Sequence, residues 1–156
     1  MSRGPSPSTP SRETIELTIP ARPEYVVVVR LAAAGIAGRM GFSFDEVEDL
    51  KIAVAEACTD AILAGAGPIQ VRFGVDSEAL EVQVDYAAPR AVRSEERELG
   101  LFLIRCLMDE VVTHEEAGRR RMRMTKRVGP APPAHLGPAD AGPADPGPAP
   151  SPTDAN

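Results

Sequence analysis

The chain has 156 residues, of which 43% are hydrophobic, enough for one domain with a single core of modest size. A net charge of −6 and a pI near 5.0 exclude a general nucleic-acid binder, which carries a basic surplus or a basic face. No apolar run reaches the ~18 residues that span a bilayer and no apolar signal-like segment opens the chain, so a cytoplasmic protein without membrane contact is expected.

In chain order, residues 1–12 are rich in Ser and Pro and are expected to be disordered. Ile15, Leu17 and Ile19 alternate with Thr14, Glu16 and Thr18, a strand that Pro20 ends. Pro23 opens a helix that runs to Met40 and stops at Gly41. The next helix, Ser43–Ala64, has the clearest start in the chain. Ser43 and Glu46 form a capping box, Phe42 and Val47 occupy the staple positions, and Asp45, Glu46, Glu48 and Asp49 place negative charge where the helix dipole favours it. Val47, Leu50, Val54, Ala57, Cys58 and Ala61 follow as a buried stripe.

Gly65 to Pro68 break that helix. Ile69–Phe73 and Leu80–Val84 alternate as two strands around a turn at Asp76–Glu78, and a polar stretch follows from Pro89 to Glu98. Leu99 to Glu110 returns to helical spacing, and Val111–Glu115 with Arg120–Val128 reads as a hairpin turning at Gly118. The basic run Arg119–Arg127 suits an exposed edge strand, where cations discourage aggregation. Cys58 and Cys106 lie in apolar helical patterns and are expected as buried thiols. His114 and His135 have no companion ligands nearby, so no metal site made by protein groups alone is expected. Residues 129–156, with nine prolines, form a tail too poor in apolar side chains to order itself. One domain over residues 13–128 is left, an α/β (α+β two-layer) sandwich with helices on one face of a mixed, mostly antiparallel sheet.

Four stretches in order resemble the RsbW type of bacterial anti-sigma factor, a branch of the GHKL ATPase superfamily with its Bergerat-type fold. They are Ile19-Pro-Ala-Arg-Pro-Glu-Tyr leading to Arg30, then Gly41 through Thr59, the strand ending Val84-Asp85, and Leu99 through Val111. The resemblance implies a protein that holds a sigma factor away from RNA polymerase and is released by a STAS-domain antagonist. It also implies Mg-ATP binding, serine phosphorylation of the antagonist, and a possible homodimer. Glu56 matches the family's catalytic base. Asp60 stands at the position of the magnesium-binding asparagine, Asp85 at the adenine-reading aspartate, Gly100 in the phosphate box, and Thr125 beside the adenine. A partner surface is expected at Arg30, Asp45, Glu48 and Asp49.

The nucleotide residues depart from the family pattern. Asp60 is tolerable with magnesium, but without metal a carboxylate ~4 Å from a phosphate is repelled by about 4 kcal/mol at an effective dielectric near 20. Tyr86-Ala87-Ala88-Pro89 follows Asp85 where glycines should stand, Glu98 replaces a glycine of the phosphate box, and thirteen residues separate Asp85 from Leu99, few for a phosphate-covering lid. The expectation is partner binding retained with weak or lost ATP binding. The alternative is an active Mg-ATP-dependent serine/threonine kinase.

Overall fold

The computed structural model describes residues 12–90 and 94–129; the expected disordered N-terminus, apart from Arg12, and the tail beyond Gly129 lie outside them. Five strands, β1 (Glu13–Ile19), β2 (Ile69–Val75), β3 (Ala79–Ala87), β4 (Glu110–Glu116) and β5 (Arg119–Arg127), form one sheet in the order β1-β2-β3-β5-β4. Every pairing is antiparallel, so the sheet is not mixed. Helices α1 (Val26–Met40), α2 (Phe44–Leu63) and α3 (Ser94–Leu107) cover one face.

Strand alternation decides which residues meet that layer. Leu80, Val82, Val84 and Tyr86 of β3 are fully buried against the helices, as are Val71 and Phe73 of β2 and Met122 and Met124 of β5. The opposite face is polar, with Glu16, Arg72, Glu81, Arg121 and Arg123 in ion pairs across it.

The middle helix is α2, packed on both α1 and α3. Its capping box is formed: the Glu46 N–H donates to Ser43 Oγ at 3.2 Å, and the Ser43 N–H donates to Glu46 Oε2 at 2.7 Å. Leu50, Ala53, Val54, Ala57, Cys58 and Ala61 are buried below it. Gly41 ends α1 at φ 85°, the left-handed conformation that glycine adopts without strain. Asp76 closes the β2–β3 turn by accepting the N–H groups of Glu78 and Ala79, both at 2.8 Å.

Four further sequence expectations need correction. The third helix begins at Ser94, five residues before Leu99, because Ser-Glu-Glu-Arg-Glu supplies acidic residues that suit a first turn while showing no apolar period. It ends at Leu107, where Lys126 Nζ donates to the Leu107 carbonyl at 2.7 Å, a cation completing a helix C-terminus. The basic run lies on β5, which is flanked by β3 and β4 and is not an edge; Arg119, Arg121 and Arg123 face outward and are balanced by Glu81 and Asp85, while Arg120 is buried on the helix side. Cys58 is buried as expected, whereas Cys106 is exposed on the outer side of α3.

Candidate functional site

Glu56 and Asp60 stand one turn apart on the flank of α2 that faces α3. Asp60 is buried, and its Oδ2 accepts hydrogen bonds from the Tyr86 hydroxyl and from Arg120 Nη1, the latter at 2.9 Å. Tyr86 and Arg120 are direct cross-strand partners on β3 and β5, both turned toward the helices. The Arg120 guanidinium lies 5.8 Å from the centre of the Tyr86 ring, close enough for a cation–π contact. Its Nη2 donates to Glu115 Oε1 at 3.0 Å, across the β4–β5 pairing. From α3, Arg97 places Nε 3.6 Å from Asp60 Oδ1 and Nη2 3.6 Å from Glu115 Oε2.

Two guanidiniums, two carboxylates and a phenol thus tie one helix, three strands and a second helix together. Burial and then the Asp60 carboxylate push the Tyr86 phenol well above its ordinary 10, so it stays a donor. Burial works against the charge on Arg120, but its contacts with Tyr86, Glu115 and Asp60 outweigh that and keep it protonated. The Arg120 hydrogen bond holds the Glu115 carboxyl below its usual range.

Gly100 faces Glu56, and a methyl group in its place would lie 3.2 Å from Glu56 Oε2. The cavity enclosed by Glu56, Asp60, Arg97, Gly100, Ile104 and Met122 measures about 30 Å³, room for one or two water molecules. Small-molecule sites run to roughly 300–1,000 Å³. Among the described residues the Glu56 carboxylate makes no ion pair or hydrogen bond with another side chain.

Of the nucleotide residues read from the sequence, Glu56, Asp60 and Gly100 are brought together, while Asp85 and Thr125 are not. Asp85 points to the opposite face of the sheet, where Arg119 and Arg121 bind its carboxylate. Burial alone would raise that carboxyl, but the two guanidiniums outweigh it and hold it below the usual range. Thr125 pairs with Glu81 and Glu110 on the same outer face. The physical reason is the two-residue period of a strand: once Val84 is inward, Tyr86 is inward and Asp85 is outward. Among the expected partner residues, Arg30 and Asp45 are exposed. Glu48 is engaged by Lys51 at 2.7 Å and Asp49 by Lys126 at 3.5 Å.

A family model described as the histidine kinase-like ATPase domain matches residues 19–126. The chain belongs to this family. Among the relatives of this histidine kinase-like ATPase domain is the serine-protein kinase RsbW of Bacillus velezensis, 41% identical over 131 aligned positions that cover 69% of this chain and 82% of the relative. The serine-protein kinase RsbW of Bacillus subtilis is 40% identical, covering 67% of this chain and 79% of the relative. The crystal structure of the RsbU and RsbW domains of Rv1364c from Mycobacterium tuberculosis superimposes with a TM-score of 0.61 at 18% identity, over 76% of this chain and 34% of that one; it shares the fold. Since 69% of 156 residues is about 108, this ATPase domain is about twenty residues shorter than the B. velezensis relative within the matched span.

Magnesium-ATP does not fit the family's site as these residues are arranged. Magnesium requires free oxygen ligands in near-octahedral geometry; Asp60 Oδ2 already accepts from two donors, and Oδ1, which has no hydrogen-bond partner among the described residues, lies 3.6 Å from the Arg97 guanidinium, whose charge opposes a cation there. Sequence reasoning missed Tyr86, Arg97, Glu115 and Arg120. The alternation of Leu80, Val82 and Val84 was the available signal, since continuing it by one step turns Tyr86 inward.

Proposed function

We propose that this chain is an anti-sigma factor of the RsbW type, which sequesters a sigma factor and is released by a STAS-domain antagonist, with nucleotide binding weak or lost. Kinship with proteins named serine-protein kinase RsbW supports the partner-switching role. The observation that carries the loss of nucleotide is the Asp60 carboxylate held by Tyr86 and Arg120. Freeing it leaves Arg120, which is 2% exposed, with Glu115 as its remaining carboxylate, so the cost is at most the roughly 3–5 kcal/mol of breaking a buried pair. A site that would otherwise bind at ~1 μM is thereby weakened by up to about two to three decades, toward the millimolar range.

Titration calorimetry with Mg-ATP at millimolar concentration tests the nucleotide half, and no saturable heat is the expected result; a micromolar isotherm overturns it. Co-purification tests the partner half. A sigma factor should come down with the chain and be displaced by a STAS-domain protein, and failure of both contradicts the reading. One observation favours the alternative of an active kinase: Glu56 is turned toward the cavity and has no side-chain partner among the described residues, as a base would need. Transfer of labelled phosphate from ATP to the STAS protein, abolished by Glu56→Ala, would establish that alternative.

A further inference from the structure

Helix α3 carries apolar side chains on the side that its own core does not use. Arg97, Gly100, Leu101 and Ile104 face the interior, whereas Leu99 and Phe102 on the other side are 68% and 64% exposed and Cys106 is exposed in line with them. Positions 99, 102, 103 and 106 recur at the three- and four-residue spacing of one helix face. They make a strip of about two turns whose midpoint lies between Phe102 and Leu103. A helix apolar on both sides is normally buried on both sides. The exposed charges of α3 are Glu95, Glu96, Glu98 and Arg105, because Arg97 is turned inward to Asp60 and Glu115. The acids therefore occupy the first half of the helix and the free cation the second. Glu98 and Arg105 stand about two turns apart on one flank of the strip. Just beyond the helix, Asp109 accepts the Arg127 N–H at 2.6 Å and Glu110 lies beside Thr125 on the outer face of the sheet, so both are turned elsewhere.

We infer that this strip is a self-association surface, on which α3 of a second copy packs antiparallel across a two-fold axis. Charge selects that occupant. A two-fold contact brings the same patch of each copy together, so in an antiparallel pair the acidic first half of each helix lies against the second half of the other, flank to matching flank. Glu98 then comes within a turn of Arg105 of the second copy, and the pair occurs twice. Phe102 of each copy meets Phe102 and Leu103 of the other at the centre. A parallel pair would instead set three carboxylates against three. An acidic partner helix would oppose the glutamates and a basic one Arg105, whereas a reversed copy suits both halves, and its helix dipole is also reversed. Pairing of the two β4 edges would set Glu110 against Glu116, the charge that keeps edge strands apart, which leaves the contact to the helix. Two strips of this length bury less than the roughly 1,200 Å² at which standard interfaces begin, so the association is weak and concentration-dependent. Nothing in this pairing depends on the partner-switching role.

Sedimentation of the full chain from about 10 μM to about 1 mM, the range of a small interface, should show the mass rising from monomer toward dimer. Phe102→Glu sets a carboxylate at the two-fold axis and should weaken association at least about tenfold, with the melting temperature of the dilute chain unchanged. Glu98→Arg and Arg105→Glu should each weaken it about threefold or more, and the two together should restore it. Cross-linking reads the geometry. Leu99→Cys places a thiol opposite Cys106 of the second copy, so mild oxidation should give a disulfide-linked dimer. Wild type, and Leu99→Cys combined with Cys106→Ser, hold matching cysteines about 10 Å apart along the paired helices, beyond the reach of a disulfide, and should stay unlinked. A chain that is monomeric throughout the range, association untouched by Phe102→Glu, a charge exchange that restores nothing, or equal linking of all three cysteine sets overturns the proposal. Should the chain be monomeric while Phe102→Glu abolishes capture of a sigma factor, the strip belongs to that partner and the proposal fails.

Discussion

Asp60 shows how one side chain changes the meaning of its neighbours. In the sequence it is a carboxylate one turn after Glu56, suited to a metal; in the fold it is the acceptor that makes a buried arginine and a buried phenol tolerable. Arg120→Ala leaves Asp60 with only the more distant Arg97, and Asp60→Ala leaves Arg120 with only Glu115. Each should destabilise the chain by up to about 3–5 kcal/mol, measured as a shift in urea midpoint at unchanged slope, while Tyr86→Phe should cost only about 1–3 kcal/mol. Replacing Asp60 and Arg120 together by apolar residues of similar volume should recover most of the loss. The two cysteines give a second residue-scale prediction. Burial pushes the Cys58 thiol up to about 12, whereas Cys106 is exposed. At pH 8 a thiol-reactive chromophore should therefore label one site rapidly and the second only in denaturant; two rapid sites in the native chain would contradict the burial of Cys58. Asp60 was legible as a candidate because residue type and spacing suffice to suggest a ligand. Its partners were not, since Tyr86 and Arg120 lie 26 and 60 residues away and meet it only through the sheet.

At the scale of elements, α2 was readable almost to the residue because its start is encoded locally, in Ser43, Glu46 and the acidic first turn. Ser43→Ala removes the acceptor of the Glu46 N–H and should cost about 1 kcal/mol. The other helices were less legible for different reasons: α3 begins in five polar residues that carry no period, and α1 is apolar nearly all round, so its spacing does not reveal its buried side. That buried side is Val29, Ala33 and Ala37. Gly35 sits on the other side, and a methyl group placed there meets no atom within 4 Å. Gly35→Ala should accordingly raise stability by about 0.5–1 kcal/mol through helix propensity, read as a higher melting temperature; a fall would mean that the space is needed.

For the molecule as a whole, the sheet has one apolar and one charged face, and the charged face sets the response to acid. Asp85, held low against the cost of burial by Arg119 and Arg121, and Asp76, held low by the N–H groups of Glu78 and Ala79, both bind protons less readily folded than unfolded. Their contribution is complete above the ordinary aspartate value of 3.8 and is lost as pH falls through the lower folded values. Urea midpoints should thus be flat near neutrality and fall steeply below about pH 4, with Asp85→Asn flattening the acid limb; an unchanged limb would dismiss the outer-face pairs as a source of stability. Two layers and the strand faces followed from apolar alternation, but the order of strands, and with it the interior place of β5, depends on pairings that no local pattern specifies. The buried cluster of Asp60, Tyr86 and Arg120 has a historical consequence as well. Asp60, Tyr86 and Arg120 come from three separate elements, and a substitution that removes Asp60 or Arg120 takes a charged partner from the other in the interior. Intermediates of that kind lose stability, so the closed arrangement resists change one substitution at a time while the surface is free to drift.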